Sequence, residues 1–171
     1  EVVLLRPLKI SDVNLLLQIS EEPNIWEYSF VKGNGKVNLE KYITSTIEAK
    51  KNQKEYPFII IDKRTNEVAG CTRFCDINNA FNATRLGFTW YGKKFQGTGL
   101  NKHCKYLLFQ FAFESIEFDR IGLGAYAENV RSIAAMKSVG CTEEGKFRSL
   151  FPANHRKNRS DAVLFSILKE E

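Results

Sequence analysis

Residues 85–115 set a strand, a two-glycine turn and a helix in immediate succession, an order that commits the chain to strands packed against helices. Arg85 to Tyr91 is rich in aromatic and β-branched residues and reads as a strand. Thr98 to Ser115 carries Leu100, Cys104, Leu107, Leu108 and Phe111 at helical spacing, so an apolar stripe faces inward. The junction is Gln96-Gly97-Thr98-Gly99-Leu100-Asn101. Glycines there let successive backbone N–H groups face outward at the positive end of a helix, which makes a cradle for phosphate. The third glycine of a dinucleotide turn would fall at Lys102, and the Gly-Lys-Ser/Thr of a P-loop is missing, so neither commoner phosphate loop applies. On spacing alone an ordinary tight turn fits equally well.

The flanks extend the same alternation. Val2 to Arg6 reads as a strand stopped by Pro7, followed by a helix that Ser11 can cap, with Val13, Leu16, Leu17 and Ile19 on one side. Residues 23–36 form a loop, and a second helix from Asn38 presents Leu39, Tyr42, Ile43, Ile47 and Lys50. Tyr56 to Ile61 and Val68 to Phe74 make a hairpin, and Asn78 to Thr84 a polar loop. Arg120 to Tyr126 is a further strand, Arg131 to Ser138 a short helix opened by Asn129, and Thr142 to Leu150 and Ala162 to Leu168 close the chain as strands. No repeat or linker divides the 171 residues, so one domain spanning 1–171 with a mixed α/β sheet is expected.

Composition narrows the partners. Hydrophobic residues make up 43% of the chain and thirteen are Phe, enough to bury a core and to exclude disorder. The net charge of +5 is mildly basic and suits a small anionic ligand at least as well as nucleic acid. Most Phe fall at core spacing rather than on an exposed face, which leaves nucleic acid an unlikely partner. No apolar run reaches the ~20 residues of a membrane span, and the N-terminal stretch is too quickly charged for a signal peptide, so a soluble, cytoplasmic protein is expected. Cys71, Cys75, Cys104 and Cys141 form no CxxC pair and only two histidines are present, so no metal site is expected and the cysteines read as small buried hydrophobes.

Charge tips the balance at the glycine turn. No acidic residue occurs between Asp76 and Glu114, whereas Arg85, Lys93, Lys94, Lys102 and Lys105 all fall in that window and bracket the turn. An anion-binding turn is the better reading.

Four segments, in order along nearly the whole chain, resemble the GNAT superfamily of acetyl-CoA-dependent N-acetyltransferases, and within it the RimJ/RimL-like branch of ribosomal-protein N-terminal acetyltransferases. They are Leu5-Arg6-Pro7-Leu8 with Ser11-Asp12; Leu86-Gly87-Phe88-Thr89-Trp90 leading into Gln96 to Asn101; Asn129 to Met136 with Gly140; and Glu144 to Arg148 with Arg159-Ser160-Asp161. The resemblance implies a twisted, mostly antiparallel sheet of α/β (mixed α+β) class, with a central splayed parallel pair and helices on both faces. It implies that Gln96, Gly97, Thr98, Gly99, Leu100 and Asn101 bind the pyrophosphate of coenzyme A through backbone N–H groups. It further implies that Phe88 and Trp90 pair with the pantetheine arm where their strand splays from residues 120–126, and that Asn129 contacts that arm.

Acetyl transfer to an amine needs a neutral amine and a proton donor for the leaving thiolate. The branch often places that donor at the position of Ser132, which also reads simply as a first-turn residue favoured for local hydrogen bonding. Asn129 can serve as helix cap and cofactor contact together. Many relatives carry a Glu two residues before the strand glycine, and here that position is Arg85. Asp76 and Glu128 are the fallback catalytic carboxylates, each also readable as a solvated charge, and a water chain or capture of the neutral amine is equally open. Trp26 and Tyr28 fall where relatives shape the acceptor pocket, with Arg85 beside them, although an aromatic pair there also suits core packing. The basic stretch Lys146, Arg148, Arg156, Lys157 and Arg159 reads as a solvated hairpin in preference to a recruiter of acidic partners. The expected partners are acetyl-CoA and an amine acceptor, a protein N-terminus or a small molecule, with the protein a monomer or homodimer. The alternative is a non-catalytic acyl-CoA-binding or regulatory module on the same fold.

Overall fold

The computed structural model describes residues 2–153 and 158–171. Its seven strands form one sheet: β1 (Val3–Pro7), β2 (Tyr56–Asp62), β3 (Glu67–Asn78), β4 (Ala83–Tyr91), β5 (Arg120–Tyr126), β6 (Thr142–Phe151) and β7 (Ser160–Leu168). The spatial order is β1-β2-β3-β4-β5-β7-β6. Every neighbouring pair is antiparallel except β4 and β5, which run parallel. A parallel pair needs a crossover, and α3 (Leu100–Gln110), extended by a π-helical turn at Phe111–Ser115, supplies it.

The other helices are α1 (Val13–Ser20), α2 (Lys36–Lys51) and α4 (Val130–Lys137). Helices α1 and α2 bury Leu16, Leu39 and Ile43 against Ile59, Cys71 and Trp90 on one face of the sheet. Helices α3 and α4 bury Leu100, Cys104, Leu108 and Met136 against Phe58, Ile60, Phe74 and Leu123 on the other. Helices on both faces are as the sequence predicts, and all four cysteines are buried and free. Burial pushes the Cys75 thiol up to about 12 and that of Cys141 up to about 11, which suits inert packing.

Two local expectations change. Ser11 does not cap α1; it lies inside a 3-10 turn at Ile10–Asp12. Asp12 makes the contacts instead, accepting the Lys9 N–H at 2.8 Å and both Arg6 guanidinium nitrogens at 2.7 and 2.8 Å. The helix expected from Thr98 begins at Leu100, because Gly99 takes the left-handed conformation as its cap residue.

Candidate active site

Strands β4 and β5 pair only at Ala83↔Arg120, Thr84↔Ile121 and Arg85↔Gly122. Beyond Arg85 they splay, so Leu86 to Tyr91 keeps β3 on one side and turns an unpaired edge toward β5. Backbone polar groups on that edge call for a partner, and an extended ligand entering the wedge can supply one.

A bulge sharpens the wedge. Cys71 pairs with Trp90 and Arg73 with Gly87, so Phe88 and Thr89 together oppose Thr72, and Phe88 holds a positive φ of 50°. The extra residue reverses the side-chain alternation: Leu86 packs toward α3, whereas Trp90 packs toward α1 and α2. The Phe88 ring lies 3.6 Å from the guanidinium carbon of Arg73, which is buried beside Glu55 with Nε 3.2 Å from its carboxylate.

At the wide end of the wedge, Gly97 and Gly99 have φ of +75° and +82°, and a Cβ built on either meets nothing within 4 Å. The N–H groups of Gly97, Thr98 and Gly99 donate to no described residue, while the Leu100 N–H reaches the Thr98 hydroxyl at 3.4 Å. Three adjacent open donors ahead of α3 form an anion cradle that a side chain at either glycine would begin to fill. The flanking side chains brace it. Gln96 Nε2 donates to the Tyr91 carbonyl at 2.9 Å and its Oε1 accepts from Arg131 of α4, tying the turn to both walls. Thr98 Oγ1 donates to the Phe95 carbonyl at 2.8 Å, and Asn101 Oδ1 accepts from the Tyr91 hydroxyl at 3.2 Å.

On the opposite wall, Asn129 caps α4 by accepting the Ser132 N–H at 3.1 Å. The Ser132 hydroxyl makes no hydrogen bond to any described residue, while its backbone N–H makes the local cap bond. Asp76 and Glu128 are exposed; Asp76 Oδ2 sits 3.7 Å from Arg85 Nη1, and burial, with a smaller push from Glu128, raises the Tyr126 hydroxyl above its ordinary pKa.

The structure favours one of the two readings open for Trp26 and moves Lys105 from its expected place. Trp26 lies in the core and not at the cleft: its rings pack on Tyr42 and Trp90, and its indole N–H donates to the Ser20 carbonyl at 2.8 Å. Tyr28 does reach the cleft side, 6.0 Å from Tyr126 between ring centroids. Lys105 is not part of the basic bracket; it is 6% exposed, and its Nζ donates to Thr89 Oγ1 at 3.1 Å. Desolvation lowers its pKa, and its helical position gave no hint of this because the β4 bulge is what brings Thr89 to it. In the basic β6–β7 stretch, Lys146 pairs with Asp161 at 3.3 Å and Arg159 donates to the Ser149 and Leu150 carbonyls, which is the behaviour of a self-braced hairpin. Arg156 and Lys157 lie outside the described residues.

Sequence reasoning missed an aromatic cluster beside the wedge. Phe30, 49% exposed, lies 4.8 Å from Phe151, 5.6 Å from Tyr126 and 6.3 Å from Phe88 between ring centroids. These residues come from four separate segments, so no local spacing announces them.

The splayed parallel pair, the bulge and the glycine turn at a helix start together make an extended cleft that ends on an anion cradle. The chain belongs to the GNAT acetyltransferase family, whose acetyltransferase (GNAT) domain matches residues 3–142, and it is a GNAT N-acetyltransferase of the RimJ/RimL-like group. It is 27% identical over 172 residues to p20, an uncharacterized N-acetyltransferase of Bacillus licheniformis, covering 98% of this chain and 93% of p20. A GCN5-related N-acetyltransferase from Brucella melitensis superposes with a TM-score of 0.87 at 24% identity, over all of this chain and 77% of that one. Spermidine N-acetyltransferase from Vibrio cholerae, solved with CoA and spermine, superposes with a TM-score of 0.80 at 20% identity over 98% and 96% of the two chains. Among the described residues no helix is long and apolar enough to cross a membrane, and no group of side chains could hold a metal ion.

Proposed function

We propose that this protein moves the acetyl group of acetyl-CoA onto a primary amine, either a protein N-terminal α-amine or a small-molecule amine. The observation that carries the reading is the set of three open N–H donors at Gly97 to Gly99, placed where the unpaired edge of β4 ends and α3 begins. These donors receive the pyrophosphate, and the helix start adds its partial positive charge. The edge at Phe88 to Trp90 and the Asn129 amide orient the arm between the walls.

Acetyl-CoA, when bound, supplies the thioester carbon that the amine attacks, so that a C–N bond forms as the C–S bond breaks. The Ser132 hydroxyl donates its proton toward the departing sulfur, and Phe30, Tyr126 and Phe151 exclude water from the acceptor side. No buried carboxylate stands at the wedge among the described residues, so the amine enters already neutral and releases its second proton to solvent.

The test is thiol release from acetyl-CoA with a panel of peptides and small amines, alongside calorimetric titration with CoA. The reading predicts CoA binding that is lost in Gly97→Val and turnover with at least one amine class. CoA binding that survives Gly97→Val and Gly99→Val unchanged would remove residues 96–101 from the site.

A further inference from the structure

Arg85 stands at the last paired position of β4, and its surroundings are built to accommodate a guanidinium. It belongs to the last pair before the strands part, Arg85↔Gly122. Its side chain crosses onto β5 above two glycines. A Cβ on Gly122 would lie 3.4 Å from Arg85 Cγ, and one on Gly124 would lie 3.2 Å from Arg85 Nη2 and 3.5 Å from Phe151 Cζ. A larger residue at Gly124 would press on the guanidinium itself, so the glycine-paved strand gives it a bed beside the aromatic cluster.

The guanidinium is nevertheless short of partners. Among the described residues it donates no hydrogen bond, and its one ion pair is with Asp76, at 3.7 Å and with that side chain 68% exposed. Such a pair is long and solvated and contributes little. The neighbouring charges are already satisfied: Arg120 donates to Glu144, which also accepts from the Ser166 hydroxyl at 3.1 Å. A groove of about 330 Å³ opens over Gly122, at the Arg85 end of this floor, lined by Asp76, Phe81, Arg85, Gly122, Glu144 and Leu164, and its size suits an amino-acid-sized molecule.

We infer that the acceptor is a primary amine that carries a carboxylate, and that Arg85 receives this carboxylate over Gly122 and Gly124 while the aromatic cluster packs the intervening apolar part. The inference rests on the acetyl-transfer reading above. A guanidinium matches a carboxylate in bidentate geometry, and the donors it needs are those left unused here. The same charge repels a polycationic acceptor, which sets the expected selectivity apart from that of a polyamine enzyme.

The experiment compares acceptors that differ only in this charge: 4-aminobutyrate against 4-aminobutyramide, L-phenylalanine against L-phenylalaninamide, and putrescine as the cationic control. Thiol release gives kcat/KM for each, and calorimetry on CoA-saturated protein gives acceptor binding independently of turnover. The wild-type protein should favour the carboxylate of at least one pair by ten-fold or more. Arg85→Gln should cut that ratio by on the order of ten- to a hundred-fold, the range of hydrogen bonds to a charged group. Arg85→Lys should restore part of it, and Arg85→Glu should turn the preference toward putrescine. A wild-type preference for amides or putrescine, or a carboxylate preference that Arg85→Gln leaves intact, overturns the inference. Thiol release with no acceptor overturns the acetyl-transfer reading alone, because the binding ratios still decide the role of Arg85.

Discussion

Replacing Gly97 or Gly99 with valine separates what the turn does for the fold from what it does for the ligand. Both glycines have positive φ, and no atom lies within 4 Å of a Cβ built on either, so the folded protein itself has room for a side chain. The stability cost is therefore conformational, about 1–2 kcal/mol for an L-residue held in the left-handed region. The binding cost is larger. A β-branched side chain stands in the space an anion must enter to reach the Gly97, Thr98 and Gly99 donors, and each charge-assisted bond lost is worth roughly 1.5–3 kcal/mol. Losing one or two of them, about 1.5–6 kcal/mol, weakens acetyl-CoA binding by roughly ten- to ten-thousand-fold. Lys94→Ala is the control: its ammonium already pairs with Glu67 at 2.5 Å and is 59% exposed, so its loss should change affinity by less than about five-fold. Calorimetry for affinity and denaturant melting on the same preparations read the two costs separately. Equal affinities for the three variants, or valine variants that lose stability and keep affinity, would refute the backbone cradle.

Ser132→Ala should lower kcat by roughly ten-fold or more, with acetyl-CoA affinity and melting temperature nearly unchanged, because the cap is made by Asn129 and the Ser132 backbone N–H. Lys105→Met should stabilise the protein by about 1–3 kcal/mol near neutral pH, read by denaturant titration, since a buried lysine with no carboxylate partner among the described residues is replaced by an apolar chain of similar length. The sign with pH follows: the folded-state pKa of Lys105 is depressed, so the penalty is full below that pKa and is relieved as pH rises toward the unfolded value of about 10.4, and the variant's advantage should shrink over that interval. With no buried carboxylate at the wedge among the described residues, kcat/KM should climb toward alkaline pH with a midpoint that tracks each acceptor amine's own pKa; a common midpoint near neutrality for amines of different basicity would indicate a protein base.

The parts of this site legible in the sequence are those that local chemistry dictates. Gly97 and Gly99 announce themselves because a left-handed turn before a helix has few other solutions, and Asn129 because an Asn ahead of a helical stripe is a cap wherever it occurs. Strands followed for the same reason, and Arg120 to Tyr126 has the limits the residue pattern predicts. What escaped depends on where the alternation slips. The two-for-one bulge at Phe88 and Thr89 has no compositional signature, yet it turns Trp90 into the core against Trp26 and presents Thr89 to Lys105. That single register change bears on both side chains: Trp26 packs in the core, one of the two readings its sequence leaves open, and Lys105 leaves the basic bracket. The aromatic cluster and the bed under Arg85 are longer-range still, since Gly122 and Gly124 look like ordinary strand glycines until β4 lies beside them. Their small size has a purpose only across the parallel pair, where a guanidinium needs the space a Cβ would occupy. The anion cradle is thus written in contiguous residues, whereas the aromatic cluster and the bed under Arg85 are assembled from separate segments, and on the reading proposed above selectivity for the acceptor can shift by single substitutions such as Arg85 without disturbing the turn at Gly97 to Gly99.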